Sequence, residues 1–435
     1  MAAIKSKEDS LGTLSPLLDK PTPPPTRYPH YLATVCRRWK TVLDQLPRIW
    51  AKPIVFLNAD IQETLADLNM SLILSKDVPL AIIVDHVLGM DGRGNAAYYR
   101  QEYANTRRVF NLLKPHLHRC KSIDFHTIRG LSLPSPSQDL SLISSTLRSL
   151  SLRCEEDDEH LADVILGPKL QETQDTVRMP LELENLCLSG YTIMDACRNA
   201  PYLFRSISGA LMLSNYETKE DEDDAELVPL FLKALCLSQR GFGHLEITGI
   251  RLHSEPVSLN AFGGLGTSRV RASRITLKNL WSNTMSNLFD HLSFPIAESM
   301  DIRDYFLPRA MSRAVKTIRR LCFDHIASND DLLHALEEWN GDRLVIKNCN
   351  CNLGNVLVLL AERRKAETCQ VSEVFLYNCS DFSLKSLRAL CDLFPAIQEI
   401  RVVGAKPPIY EQDEGWLHRE LHMICWDGRF DGRRE

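Results

Sequence analysis

No stretch of this chain approaches the ~18 consecutive apolar residues that a membrane-spanning helix needs. Its first ten residues, "MAAIKSKEDS", carry no apolar segment of the kind found in secretory signals. No two cysteines stand at C-x-x-C spacing, and 13 is an odd number to pair. These absences lead to the expectation of a reduced protein, cytoplasmic or nuclear, whose cysteines act as small hydrophobes. Also missing are a Gly-Lys-Ser/Thr phosphate loop, a complete dinucleotide fingerprint and a G-x-S-x-G nucleophile elbow. A formal net charge of −5 over 435 residues gives no dedicated nucleic-acid surface. We therefore expect no catalytic residue, cofactor or metal, and neither a nucleic acid nor a membrane as partner.

What the chain does contain is hydrophobic order. Residues 1–30 are poor in large apolar side chains and hold Pro16, Pro21, Pro23, Pro24, Pro25 and Pro29, which deny helix donors and restrict their neighbours. This segment reads as a disordered or polyproline-like tail. From Tyr31 to Leu46, the residues Leu32, Val35, Trp39, Val42, Leu43 and Leu46 recur at helical steps, predicting one helix that Pro47 ends. Ile49 and Trp50 follow as an apolar plug, then "PIVFL" as a short extended piece. "IQETLADLNMSLILSKD" reads as a helix and "PLAIIVD" as an extended run.

From about residue 120 a short unit repeats, apolar at its positions 1, 4 and 6. Clear copies are "LRSLSL", "LENLCL", "FGHLEI", "ASRITL", "AESMDI", "IRRLCF", "GDRLVI", "VSEVFL" and "IQEIRV". Weaker ones are "CKSIDF" and "ISGALM", the latter placing Ala210 and Met212 at positions 4 and 6. Between the starts at Cys120 and Ile397 the mean spacing is about 28 residues, with single intervals from about 21 to about 36, the range of irregular leucine-rich repeats. Such repeats also want Asn or Cys at position 9, and Asn215, Cys349 and Cys379 supply it.

Helix-like segments, "DDLLHALEEW", "LGNVLVLLAERRKAE" and "SLKSLRALCDLF", separate the units and would pack beneath them. The predicted fold class is therefore α/β: a curved parallel-sheet solenoid with outer helices. The acidic runs "CEEDDEH" and "KEDEDDAE" fall in the longest intervals and read as solvated loops. The expected divisions are 1–30 tail, 31–58 helical segment, 59–405 repeat array, and 406–435 a cap and tail using Trp416, Leu421 and Trp426.

The helical segment now has a context. "LATVCRRWKTVLDQLPRIW" resembles the C-terminal half of an F-box, in the form common in fungal F-box proteins with irregular leucine-rich repeats. The matching residues are Val35, Cys36, Arg37, Trp39, Pro47 and Trp50. The Leu-Pro-x-Glu stretch that opens the family's motif has no counterpart; "LGTLSPLLDKPTPPPT" stands there instead. The resemblance implies a non-catalytic substrate receptor of an SCF-type ubiquitin ligase. Its helix would dock a Skp-type adaptor of a cullin-RING ligase through Leu32, Val35, Cys36, Trp39, Pro47 and Trp50. Its repeats would hold a target protein. The alternative is a repeat scaffold that no longer binds the adaptor.

Side chains between the apolar repeat positions, Arg148, Glu246, Arg274, Asp301, Lys347 and Tyr377, are the candidate contacts on the concave face. Other features read as structural. Cys349, Cys351, Cys369 and Cys379 are close enough in sequence to suggest zinc, but core packing fits them better. "FGGLGTSR" reads as a flexible connection, and "RAVKTIRR" as a helix decoration. His116, His118 and His325 are scattered.

Overall fold

The computed structural model describes residues 29–86, 96–140, 145–157, 181–218, 227–253, 268–303, 306–379, 382–393, 396–404 and 424–426. The proline-rich tail (1–28), the acidic run at 219–226, most of "FGGLGTSR", Trp416 and Leu421 lie outside the described residues.

The N-terminal segment is not one helix. Helix α1 (His30–Val35) stops at Cys36, whose backbone is extended at φ −163 and ψ 162. Helix α2 (Arg37–Asp44) then starts afresh. Cys36 acts as its N-cap: its carbonyl accepts the first helical bond, from Lys40 N at 3.1 Å, and its Sγ accepts from Trp39 N at 3.5 Å. Pro47 opens a further short helix, α3 (Pro47–Trp50), from the first-turn position where its missing N–H costs nothing. The expected single helix fails because apolar periodicity continues through Cys36 and carries no sign of the break.

The chain then enters one large parallel sheet. The first elements are β1 (Ile54–Phe56), α4 (Ile61–Leu74), β2 (Leu80–Asp85), α5 (Ala96–Leu113), β3 (Cys120–Arg129), β4 (Ser149–Glu156) and β5 (Leu183–Ser189). Helix α6 (Tyr191–Asn199) and the short α7 (Tyr202–Arg205) precede β6 (Ile207–Glu217), α8 (Leu227–Leu235) and β7 (Phe242–Arg251). Next come β8 (Ser268–Arg269), β9 (Ala272–Lys278), α9 (Ser282–His291), β10 (Leu292–Ser293) and β11 (Ser299–Arg303). The remainder is α10 (Met311–Val315), β12 (Arg320–Asp324), α11 (Asn329–Leu336), β13 (Arg343–Lys347), α12 (Leu353–Lys365), β14 (Glu373–Tyr377), α13 (Leu384–Cys391), β15 (Glu399–Val403) and β16 (Ile424–Trp426). Strands β8 and β10 pair only with each other; the rest form a 14-stranded open sheet whose order follows the chain from β1 to β16.

The repeat positions set the register. Position 4 runs Ile123, Leu150, Leu186, Leu211, Leu245, Ile275, Met300, Leu321, Leu344, Val374 and Ile400, each paired with the next. All are buried, as is the parallel row from Phe125 to Val402 at position 6. Side chains alternate along a strand, so these rows fill one face. Apolar residues of the helices, among them Leu332, Leu336, Val356, Leu360, Leu387 and Leu390, join the same core. Each buried Leu or Ile contributes on the order of 1.5–3 kcal/mol, and no unit could bury its own without a neighbour.

Three expectations are corrected. In "ISGALM" the core positions are Leu211 and Leu213, not Ala210 and Met212: the β5–β6 pairing shifts between Leu183 and Asn185. A one-residue slip exchanges the two faces, leaving Met212 at 37% exposure. The run "CEEDDEH" is not all loop, since Cys154, Glu155 and Glu156 belong to β4. The tail contributes more than a cap: β16 adds a parallel strand, pairing Ile400 with Ile424 and Val402 with Trp426.

A feature that the repeat pattern missed lies at position 8. Gly190, Asn215, Gly249, Asn279, His325, Asn348, Asn378 and Gly404 all have positive φ, between 49° and 71°. These are residue types that tolerate the left-handed region. The conformation turns the chain away while the amide still bonds the next strand: Asn348 N to Tyr377 O at 2.8 Å and Asn378 N to Val403 O at 2.7 Å. With the corrected β6 register, Asn215 belongs to this series and not to position 9. Its Nδ2 donates to Cys154 O at 2.9 Å. Cys349 and Cys379 do occupy position 9, buried, with their thiols donating to Lys347 O and Tyr377 O at 3.1 and 3.3 Å.

Candidate protein-interaction surfaces

Two surfaces remain open once the core is assigned. The first is the outer side of α1 and α2. Val35, Trp39, Val42 and Leu46 are exposed, at 58, 49, 43 and 43%. Leu32 and Pro47 are half-buried, and Cys36 is exposed. Arg37, Arg38, Lys40 and Arg48 of the same segment are also exposed. Large apolar side chains left in water beside charged ones make this segment a candidate interaction surface.

Trp50 differs from the other residues expected to dock a partner. It is 1% exposed, its Nε1 donates to Leu43 O at 2.8 Å, and its ring meets the His30 ring edge-on at 5.0 Å. His30 in turn reaches α4, with Nε2 3.2 Å from Ser71 Oγ and Nδ1 3.5 Å from Asp67. Trp50 thus anchors the N-terminal helices to one another, with His30 linking them to α4, and presents no surface of its own.

The second surface is the sheet face opposite the helices. Five of the six concave-face candidates lie on it. Glu246 and Asp301 occupy position 5, Arg274 position 3, and Lys347 and Tyr377 position 7, on registered strands. Arg148 stands apart: it precedes β4, and its guanidinium bonds Glu182 O at 3.0 Å with the Glu182 carboxylate 3.8 Å away.

Cross-strand pairs lace this face. Lys278 Nζ lies 2.7 Å from Glu246 and Arg343 lies 3.4 Å from Glu373, while Arg303 pairs at 2.9 Å with Asp301 of its own strand. Phe375, on the open face, is only 2% exposed because guanidiniums cover it: Arg343 at 4.4 Å and Arg401 at 5.4 Å from the ring centroid. Lys347 sits 5.8 Å from the centre of the Tyr377 ring. Between β3 and β7 the same face is nearly uncharged, with Ser151, Cys187 and Met212 side by side at position 5. Burial pushes the Cys187 thiol up to about 11 and that of Cys322 to about 12, so both stay protonated near neutrality.

The remaining sequence features fall into the framework. Cys349, Cys351, Cys369 and Cys379 are buried, and all four are free thiols. Among the described residues no group of three or more His, Cys, Asp or Glu side chains is placed to hold a metal ion. His118 and His325 are exposed and His116 is half-buried; His116 and His118 share one short helical turn ahead of β3, while His325 follows β12. In "RAVKTIRR", Arg313 belongs to α10, while Lys316 and Arg319 pair with Glu338 and Asp342. Among the described residues no helix is long and apolar enough to cross a membrane. No protein-family model matches the chain, and no curated protein matches it in sequence.

Proposed function

We propose that this protein is a non-catalytic receptor: a leucine-rich-repeat solenoid that holds a partner on its open sheet face, preceded by an F-box-like segment that docks a Skp-type adaptor of a cullin-RING ubiquitin ligase. The observation that carries the adaptor half is the solvent-facing set Val35, Trp39, Val42 and Leu46. A segment that served only to cover the end of the sheet would turn these residues inward. Here Leu43 and Trp50 are the buried residues of the short helices, and the resembling motif keeps a second apolar face in water. The repeat half is supported by strand order that follows the chain, a spacing of about 28 residues, and the left-handed residue that closes eight of the units. Bound together, target and ligase would react at raised effective concentration, with no chemistry required of this chain.

Co-elution of the full chain with a purified Skp-type adaptor tests the proposal, with a Val35→Asp/Val42→Asp variant as control. Binding by the parent and not by the variant supports it. A folded parent chain that does not bind leaves the second reading, a repeat scaffold without adaptor. That reading is favoured by one observation, the absence of a Leu-Pro-x-Glu stretch ahead of Tyr31.

A further inference from the structure

The position-3 row on the open face reads His244, Arg274, Ser299, Arg320, Arg343 across five adjacent strands, β7, β9, β11, β12 and β13. It contains no carboxylate until Glu373 on β14. Of the other charges on these strands Glu246 is matched by Lys278 and Asp301 by Arg303, whereas Lys347 faces the Tyr377 ring; within the row Arg343 lies 3.4 Å from Glu373. At the strand entrances Glu298 and Asp342 both face Arg319, which bonds the latter. Arg274 and Arg320 are exposed, and among the described residues neither has an ion-pair partner. On positions 3, 5 and 7 of β7 to β13, the cations Arg274, Lys278, Arg303, Arg320, Arg343 and Lys347 outnumber the carboxylates Glu246, Asp301 and Asp324 by six to three. This excess stands on a chain whose formal net charge is −5. Basic charge is therefore in local excess on this strip of the open face.

We infer that this strip binds an extended acidic segment of a partner protein, with carboxylates at alternate positions, laid across the strands over Arg274, Arg320 and Arg343. Geometry sets the spacing. Neighbouring strands are ~4.8 Å apart, so Arg274 to Arg320 is ~9.6 Å and Arg274 to Arg343 is ~14.4 Å. An extended peptide rises ~3.4 Å per residue and puts every second side chain on one side. Carboxylates at residues i, i+2 and i+4 then fall at 0, ~6.8 and ~13.6 Å. The middle mismatch of ~3 Å is within reach of an arginine side chain, whose planar fork donates two hydrogen bonds to a carboxylate. Arg343 is further ordered by its stacking on Phe375, which reduces what it loses on binding.

This inference rests on the proposed role of the open face as the partner-holding surface and is independent of adaptor docking. The test uses a labelled peptide, Gly-Glu-Ser-Glu-Ser-Glu-Gly, and fluorescence anisotropy with the full chain. The matching Gln peptide serves as control. We expect binding by the Glu peptide that weakens with salt and no comparable binding by the Gln peptide. Arg274→Glu/Arg320→Glu should reduce affinity at least about tenfold, or ~1.4 kcal/mol. Arg274→Gln/Arg320→Gln, which removes charge without adding repulsion, should give a smaller loss in the same direction.

No binding of the Glu peptide overturns the inference, as do equal binding of the Gln peptide, unchanged affinity in both variants, or binding only when the serines are phosphorylated. Adaptor co-elution measured on the same samples separates the two proposals. Lost peptide binding with intact adaptor binding removes only the acidic-segment assignment, and the reverse removes only the adaptor reading.

Discussion

Replacing Trp50 by alanine should loosen the N-terminal segment, whereas the same change at Trp39, eleven positions earlier, should not. Trp50 is 1% exposed and Trp39 is 49% exposed. Truncating a fully buried tryptophan costs about 3–5 kcal/mol through lost transfer energy and the cavity left behind. The indole hydrogen bond adds little to that figure. Leu43 O, its acceptor at 2.8 Å, also receives Leu46 N at 2.9 Å, so the carbonyl is not orphaned. The net loss from that bond alone is about 1 kcal/mol.

The His30 ring, 5.0 Å away, loses its edge-on partner, and with it the segment's link to α4 weakens. Trp39→Ala removes a half-exposed side chain that packs on no closed core, and the change should stay within about 0.5–1 kcal/mol. Because a long sheet built from stacked units can open locally, a single midpoint is a poor readout. Hydrogen exchange read by mass spectrometry resolves the segment. In Trp50→Ala, residues 30–57 should exchange faster by about two orders of magnitude or more, as 3 kcal/mol implies, while β11 to β14 stay protected. Equal effects of the two substitutions, or none from Trp50→Ala, would refute the assignment of one tryptophan to anchoring and the other to display.

Other perturbations follow from the framework. Gly404→Ala should destabilise the C-terminal units by about 1–3 kcal/mol, because φ is +71 and a Cβ would run into Asn378 Oδ1; a chemical-denaturation shift near zero would contradict this. Asp195 is buried and accepts from Ser135 Oγ at 2.7 Å, Ser137 N at 3.0 Å, Ser137 Oγ at 2.6 Å and Asn199 Nδ2 at 3.0 Å. Asp195→Ala strands these donors and should cost about 3 kcal/mol or more, measurable as a lowered urea midpoint.

Burial lowers the pKa of His86, His116 and His244 below 6.5. Below that value the unfolded chain binds protons that the folded chain does not, so these groups withdraw stability as pH falls. The urea midpoint should be lower at pH 5.5 than at pH 7.5, and a higher one would contradict their burial as neutral rings. Iodoacetamide at pH 8 should label exposed Cys36 first, while Cys322 and Cys349, pushed up to about 12, remain thiols and react slowly.

The sheet was legible because its signal is redundant. One apolar position 4 and one position 6 recur on strand after strand, and each copy constrains its neighbours' register. Where the redundancy weakens, the reading slips: "ISGALM" offers apolar residues on both faces, and only the irregular β5–β6 pairing decides for Leu211 and Leu213. The left-handed residue at position 8 could have been found. Gly190, Gly249, Asn279, Asn348, Asn378 and Gly404 stand at one offset from the repeat start, and Gly or Asn is what such a turn requires. Strand β16 was also within reach, since Leu421, Ile424 and Trp426 in "LHMICW" repeat the 1, 4, 6 pattern.

The break at Cys36 was not legible, because a cysteine cap has no strong sequence signature and the apolar stripe runs through it. The candidate surfaces were half legible. Alternation places Glu246, Arg274, Asp301, Lys347 and Tyr377 on the open face without any coordinates. It does not say that Trp50 turns inward while Trp39 stays out, because periodicity identifies a stripe and not what covers it. Nor does it show that Phe375 is roofed by two arginines from neighbouring strands.

The adaptor-docking proposal is tested most directly by the hydrogen-exchange footprint of a purified Skp-type adaptor on the full chain. Slowed exchange confined to residues 34–48, where Val35, Trp39, Val42 and Leu46 face solvent, is the expected result. Unchanged exchange in that segment at saturating adaptor, with the sheet still protected, would contradict it.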